Sequence, residues 1–192
     1  ALFAASSVGC MKPPKLPQFE EINTNETAFL VPLEGATKST QKKFMSVEYL
    51  EEAKIAAKKI ELPLRAIKTG RWSHQIKWVA TMRVVKVDRS PVTREWTEEK
   101  GTGTESKDQA IHVESNDSIG FGIGINITAS IKEEDAATFL YHFPSGSLAS
   151  VMDFTIRGYV QEALAREFAD RDLQKGKKEK TTIFATVKKE VA

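Results

Sequence analysis

A chain of 192 residues, 41% hydrophobic and 28% charged, has a globular composition, holds one ordinary domain or two small ones, and is too short for a multi-domain enzyme. Its 28 basic residues against 26 acidic ones leave a formal charge of +2, which gives no electrostatic footprint for nucleic acid. No run of about 20 apolar residues occurs, so no segment of this sequence spans a bilayer as a helix.

Residues 1–10 are uncharged, apolar or small, and end in Gly9 and Cys10. The segment reads as the tail of a secretory signal, and its end resembles the lipobox of bacterial lipoproteins, whose cysteine is acylated. Ser7 stands where that pattern usually has leucine. An uncleaved anchor and a chance cysteine in a loose end are the alternatives. Cys10 is the only cysteine, so an intramolecular disulfide and a cysteine-based zinc site are excluded within this sequence.

Residues 11–18 hold three prolines and two lysines, a composition that predicts an extended spacer lifting the domain off its anchor. A first strand is expected at Ala28–Leu33, with Pro32 marking an edge or an end. Ser46–Lys59 reads as a helix, capped by Ser46, acidic at its start and basic at its end, with Pro63 limiting it. Strands are expected at Val79–Asp88 and Val92–Glu98, separated by Ser90 and Pro91, with a glycine-containing polar loop over 99–108.

The clearest pattern runs from Ile119 to Ile131. Every odd position is apolar, and glycine or small polar residues fill most of the alternates, which predicts one long strand with a buried odd-numbered face. Gly120, Gly122 and Gly124 fail the G-x-G-x-x-G spacing of a nucleotide loop and are expected to allow a bend or a close backbone. Glu133–Phe143 predicts a short amphipathic helix ended by Pro144. A longer helix comes next, with Leu148, Val151, Met152, Ile156, Tyr159, Val160, Ala163, Leu164 and Phe168 inside. The lysine run Lys175–Lys180 reads as a solvated break, after which Ile183, Val187 and Val191 begin another helical stripe.

Catalytic chemistry has no visible carrier. His74, His112 and His142 are isolated, and H-E-x-x-H, G-x-S-x-G and P-loop motifs are missing from the sequence. Acid pairs such as Glu98 with Glu99 and Glu133 with Glu134 read as solvated or helix-start charges. The chain is therefore expected not to be an enzyme, with no catalytic residue, metal or cofactor assigned. Trp72 and Trp78, flanked by Arg71, His74 and Lys77, form a candidate aromatic and basic membrane-interface patch. Core packing of the two tryptophans is the competing expectation.

The order of these segments carries a resemblance. Val84–Thr97, Ser106–Asp117, the alternating stretch and Glu134–Leu140 together resemble the SPFH superfamily, the stomatin, prohibitin and flotillin group, over roughly Phe19–Glu190. The resemblance implies an α+β fold: an SPFH-type domain of small mixed or antiparallel sheets, short helices and a longer C-terminal amphipathic helix. With the reading of the first segment above, the chain is expected to divide into 1–18 (signal remnant, cysteine and spacer, in place of the transmembrane or hairpin anchor usual in relatives), 19–175 (the SPFH-like domain) and 176–192 (the start of a C-terminal helix, which in relatives continues as a coiled coil). The function implied is a membrane-anchored scaffold that homo-oligomerises and organises membrane lipids or membrane proteins, with regulation of a membrane protease as one role. The expected location is a membrane, through a lipid on Cys10, outside the cytoplasm. A monomeric surface lipoprotein binding a ligand or partner near Trp72 and Trp78 is the alternative.

Overall fold

The computed structural model describes residues 13–33, 46–72, 75–98, 103–105, 107–144 and 146–191. They form an α+β fold of small antiparallel sheets, short helices and a C-terminal helix, divided into two compact units, one ending at Val87 and the other beginning at Asp88.

In the first unit, β1 (Gln18–Glu21) pairs antiparallel with β3 (Lys59–Leu62), Gln18 opposite Leu62. The chain therefore joins a sheet where a spacer is expected to end. β2 (Glu26–Pro32) buries Ala28 and Phe29 completely and pairs with β6 (Met82–Asp88). Pro32 closes β2 as expected, because proline has no N–H to extend the ladder.

Helix α1 covers only Val47–Glu52, much less than the expected Ser46–Lys59. Its start is as read: the Ser46 hydroxyl accepts the Tyr49 N–H at 3.2 Å. Its end is decided by β2. The Leu30 N–H donates to the Ala53 carbonyl and the Ile55 N–H to the Ala28 carbonyl, both at 2.9 Å, so residues 53–55 lie beside β2 in place of further helical turns. Local propensity differs between conformations by tenths of a kcal/mol per residue, and packing against a buried Phe29 outweighs it. Pro63 then separates β3 from β4 (Leu64–Lys68), which pairs antiparallel with β5 (Ile76–Ala80).

The second unit begins with β7 (Val92–Trp96), β8 (Ile111–Glu114), β9 (Gly120–Ile123) and β10 (Ile125–Ala129). The expected single strand 119–131 is two strands. β9 pairs with β8, Val113 opposite Phe121, while β10 pairs with β7, Trp96 opposite Ile125. The break falls at Gly124. The alternation nevertheless holds across it: Phe121, Ile123, Ile125 and Ile127 all pack into the core, and Gly122, Asn126 and Thr128 face outward. Ile119, at the edge of this stripe, is exposed.

Helix α2 (Ala136–His142) stops before Pro144. The longer helix is composite: α3 (Leu148–Val151), a π-helical turn (Met152–Ile156) and α4 (Arg157–Ala169). A π turn holds an extra residue and so rotates the faces of α4 relative to those of α3. The buried stripe reads Leu148, Val151, Met152, then Val160, Ala163, Leu164 and Phe168, and Tyr159, expected inside, is 60% exposed.

The lysine run is helical where a break is expected. α5 (Leu173–Lys178) is capped by the Asp172 carboxylate, which accepts the Lys175 N–H at 2.6 Å, and α6 (Lys180–Val191) begins directly after it. Ile183 and Val187 of α6 are buried in the same core as Trp96, Ile111, Val160 and Leu164. The stripe at the start of this helix thus belongs to the unit's own interior.

Candidate functional site

The β4–β5 hairpin collects the aromatic and basic residues singled out in the sequence. In an antiparallel pair, residues directly opposite project to the same face. Register places Leu64, Ala66 and Lys68 with Ala80, Trp78 and Ile76 on one face, and Arg65 and Ile67 with Val79 and Lys77 on the other.

The tip is organised by Gln75. Its carbonyl accepts the Thr69 N–H at 2.8 Å, its side-chain Oε1 accepts the Trp72 N–H at 3.1 Å, and its own N–H donates to the Trp72 carbonyl at 3.1 Å. Trp72 is held at this tip 65% exposed, with Arg71 beside it and Ile67 also exposed.

Trp78 is placed differently. It is half-buried within β5, and its indole Nε1 donates to the Pro13 carbonyl at 3.1 Å, so the proline-rich segment touches this strand. The two tryptophans are therefore not one patch: Trp72 is presented at the tip and Trp78 is built into the sheet. Cys10 and His74 lie outside the described residues.

Charge is segregated on this stretch of chain. From Leu62 to Val87 the sequence has six cations, Arg65, Lys68, Arg71, Lys77, Arg83 and Lys86, and no carboxylate. Lys86 reaches Glu20 and Glu26 at 3.7 and 3.9 Å, while Arg65, Lys68, Arg71 and Lys77 are exposed on the hairpin. Sequence reasoning singles out the tryptophans, Arg71 and Lys77 but misses Arg65, Lys68 and Ile67, because only strand register shows that they share the hairpin. The acid-free stretch is the signal that could have found them.

Elsewhere, several titratable groups are engaged in structure. The Asp117 carboxylate accepts from the Ser115 hydroxyl, which holds it below the usual carboxylate range, and also from the Leu173 N–H at 3.3 Å. Arg171 donates to Glu179 at 2.9 Å and lies 2.9 Å from Glu167, and these partners raise its pKa further. His112 lies 3.4 Å from Asp108 and His142 stacks edge-on to Tyr141. Among the described residues no three histidines, cysteines or acids are grouped as metal ligands, and no helix is long and apolar enough to cross a membrane. Comparison with known proteins finds no family model that matches the chain and no curated protein that matches it.

Proposed function

We propose that this protein is a membrane-anchored, SPFH-like scaffold that homo-oligomerises and organises membrane lipids or membrane proteins, including regulation of a membrane protease, and that it is not an enzyme. The observation that carries the reading is the β4–β5 hairpin, where an exposed tryptophan stands at the tip and four cations are exposed along the hairpin. An amphipathic indole is suited to the headgroup level of a bilayer, and each nearby lysine or arginine adds about 1 kcal/mol of attraction to an anionic leaflet. The order of segments that resembles the SPFH superfamily supports the scaffold part, and Cys10 at the end of a lipobox-like run supports a lipid anchor. One acyl chain binds only marginally, so an anchor of two or more chains, reinforced by the hairpin, gives stable attachment.

The test is mass measurement of the native membrane form in mild detergent, together with intact mass of the chain and fractionation of Cys10→Ser. Particles of many copies, a lipid adduct on Cys10 and release of the variant are expected. Particles of one chain would overturn the scaffold in favour of a monomeric surface lipoprotein, and retention of an unlipidated chain would overturn the anchor.

A further inference from the structure

An open cavity of about 240 Å³ lies in the second unit between β9 and the helices α5 and α6. Its interior is apolar, built by Phe121, Phe168 and Phe184 with Ile123 and Leu173. Phe121 and Phe168 meet edge to face, with ring centroids 5.1 Å apart. A cavity of about 150 Å³ lined by apolar side chains already accepts benzene, so one of this size takes a phenyl ring with a short chain attached.

The walls are fixed before any ligand arrives. Gly176 lies so close to Phe168 that a Cβ there would sit 2.4 Å from the ring's Cε1, so only glycine lets α5 rest on that ring. The turn leading into α5 is tied to the β8–β9 loop by the Asn116 N–H donating to the Arg171 carbonyl at 3.0 Å and the Leu173 N–H donating to Asp117 at 3.3 Å. Arg171 in turn holds Glu179, between α5 and α6. A preformed site loses little free energy to ordering.

The lining is charged in one sense only. Lys177 and Lys180 are exposed at its rim, and among the described residues no carboxylate lines it. Among the described residues neither lysine is paired with a carboxylate; the Lys180 ammonium lies 6.0 Å from the Phe184 ring. The adjoining groove beyond Gly122 carries Glu98 and Glu114 instead, so an anion is steered to this side.

We infer that this cavity binds a small amphipathic carboxylate of the arylalkanoate class, its ring among the three phenylalanines and its carboxylate at Lys177 and Lys180. The apolar body is recognised by burial and the head group by two point charges that no internal acid neutralises. A neutral aromatic of the same shape gains only the first term, and an inorganic anion only the second.

Titration of the ¹⁵N-labelled full chain with 3-phenylpropionate, 3-phenylpropanol and phosphate tests it. Saturable shifts of the Gly122, Gly124 and Gly176 amides by the acid are expected, with the alcohol about tenfold weaker, as the loss of a charged contact implies. The Lys177→Gln/Lys180→Gln variant, whose changes are at exposed positions, is expected to bind the acid about tenfold less tightly and the alcohol unchanged, with the circular dichroism of the parent. Acid and alcohol binding alike, phosphate giving the same shifts at equal affinity, or no saturable shift at all would each overturn the assignment.

Discussion

The guanidinium of Arg94 on β7 grips the carboxylate of Asp153 in the π-helical turn with two parallel bonds, Nε to Oδ1 at 2.8 Å and Nη2 to Oδ2 at 2.9 Å. The pair ties the place where the long helix widens to the strand that carries Trp96. One turn on, Arg157 donates to the Gln109 carbonyl at 3.0 Å and lies over the Trp96 ring at 5.9 Å. The register of the helix is thus set by polar contacts as well as by its apolar stripe.

Loss of that fork is expected to be felt in stability. Asp153→Ala should cost about 1–2 kcal/mol, and Arg94→Lys should recover little, because an ammonium cannot reproduce the bidentate geometry. Urea denaturation of Arg94→Ala, Asp153→Ala and the double variant gives the coupling, expected near ~1 kcal/mol. Strictly additive losses would show that the two groups act independently.

The two faces of residues 119–131 are expected to respond very differently to charge. Ile125 is 8% exposed in the core, and Ile125→Asp should cost several kcal/mol, enough to unfold the unit or nearly so. Thr128 is outward and shares a 2.9 Å hydroxyl contact with Thr93, so Thr128→Asp should cost about 1 kcal/mol. Equal destabilisation in chemical denaturation would contradict a one-sided strand.

Helix α6 is expected to be an integral part of the second unit. Ile183 is fully buried, so Ile183→Ala should lose about 2–4 kcal/mol, while the neighbouring exposed Thr181→Ala should change stability by less than about 0.5 kcal/mol. A thermal melt in which both behave alike would mean that α6 does not pack on this core.

Asp117 gives a pH dependence of definite sign. Its carboxyl is held below its ordinary value of 3.8, chiefly by the Ser115 hydroxyl, so the folded state favours the charged form. The stabilisation is present above about pH 3.8 and is lost as the pH falls below it through the depressed folded value. Melting temperatures of wild type and Asp117→Asn should converge on acidification below that point and stay separated by a constant gap above it. A gap unchanged down to about pH 2 would remove Asp117 from the acid response.

Vesicle binding should depend on the hairpin tip. With the Cys10→Ser chain, to remove any anchor, cosedimentation with vesicles containing a third phosphatidylglycerol is expected to fall several-fold in Trp72→Ser and in Lys68→Glu/Lys77→Glu. It should also weaken as salt shortens the Debye length from about 10 Å at 0.1 M to about 3 Å at 1 M. Binding that ignores both salt and these substitutions would take the hairpin out of the membrane contact.

Much of this architecture is legible in the sequence because its signals are local. The cap at Ser46, the strand end at Pro32, the helix end before Pro144 and the inward odd-numbered face of 121–127 each derive from a few adjacent residues, whereas the α+β class is what the order of the segments implies through its resemblance. A side-chain period or a missing N–H acts whatever the rest of the chain does. In the candidate site, likewise, the tryptophans and the acid-free stretch are sequence facts.

Tertiary structure decided everything that depends on a partner distant along the chain. Residues 53–55 have helical composition but bond to β2, Gly124 divides one apolar pattern between β8 and β7, and the π turn held by Arg94 turns Tyr159 outward. Trp72 and Trp78 look equivalent six residues apart, yet one stands at a hairpin tip and the other donates to Pro13. The physical reason is common to all of these: periodicity fixes which face of a segment is apolar, whereas backbone hydrogen bonds and buried area across the chain fix what that face meets and where the segment stops.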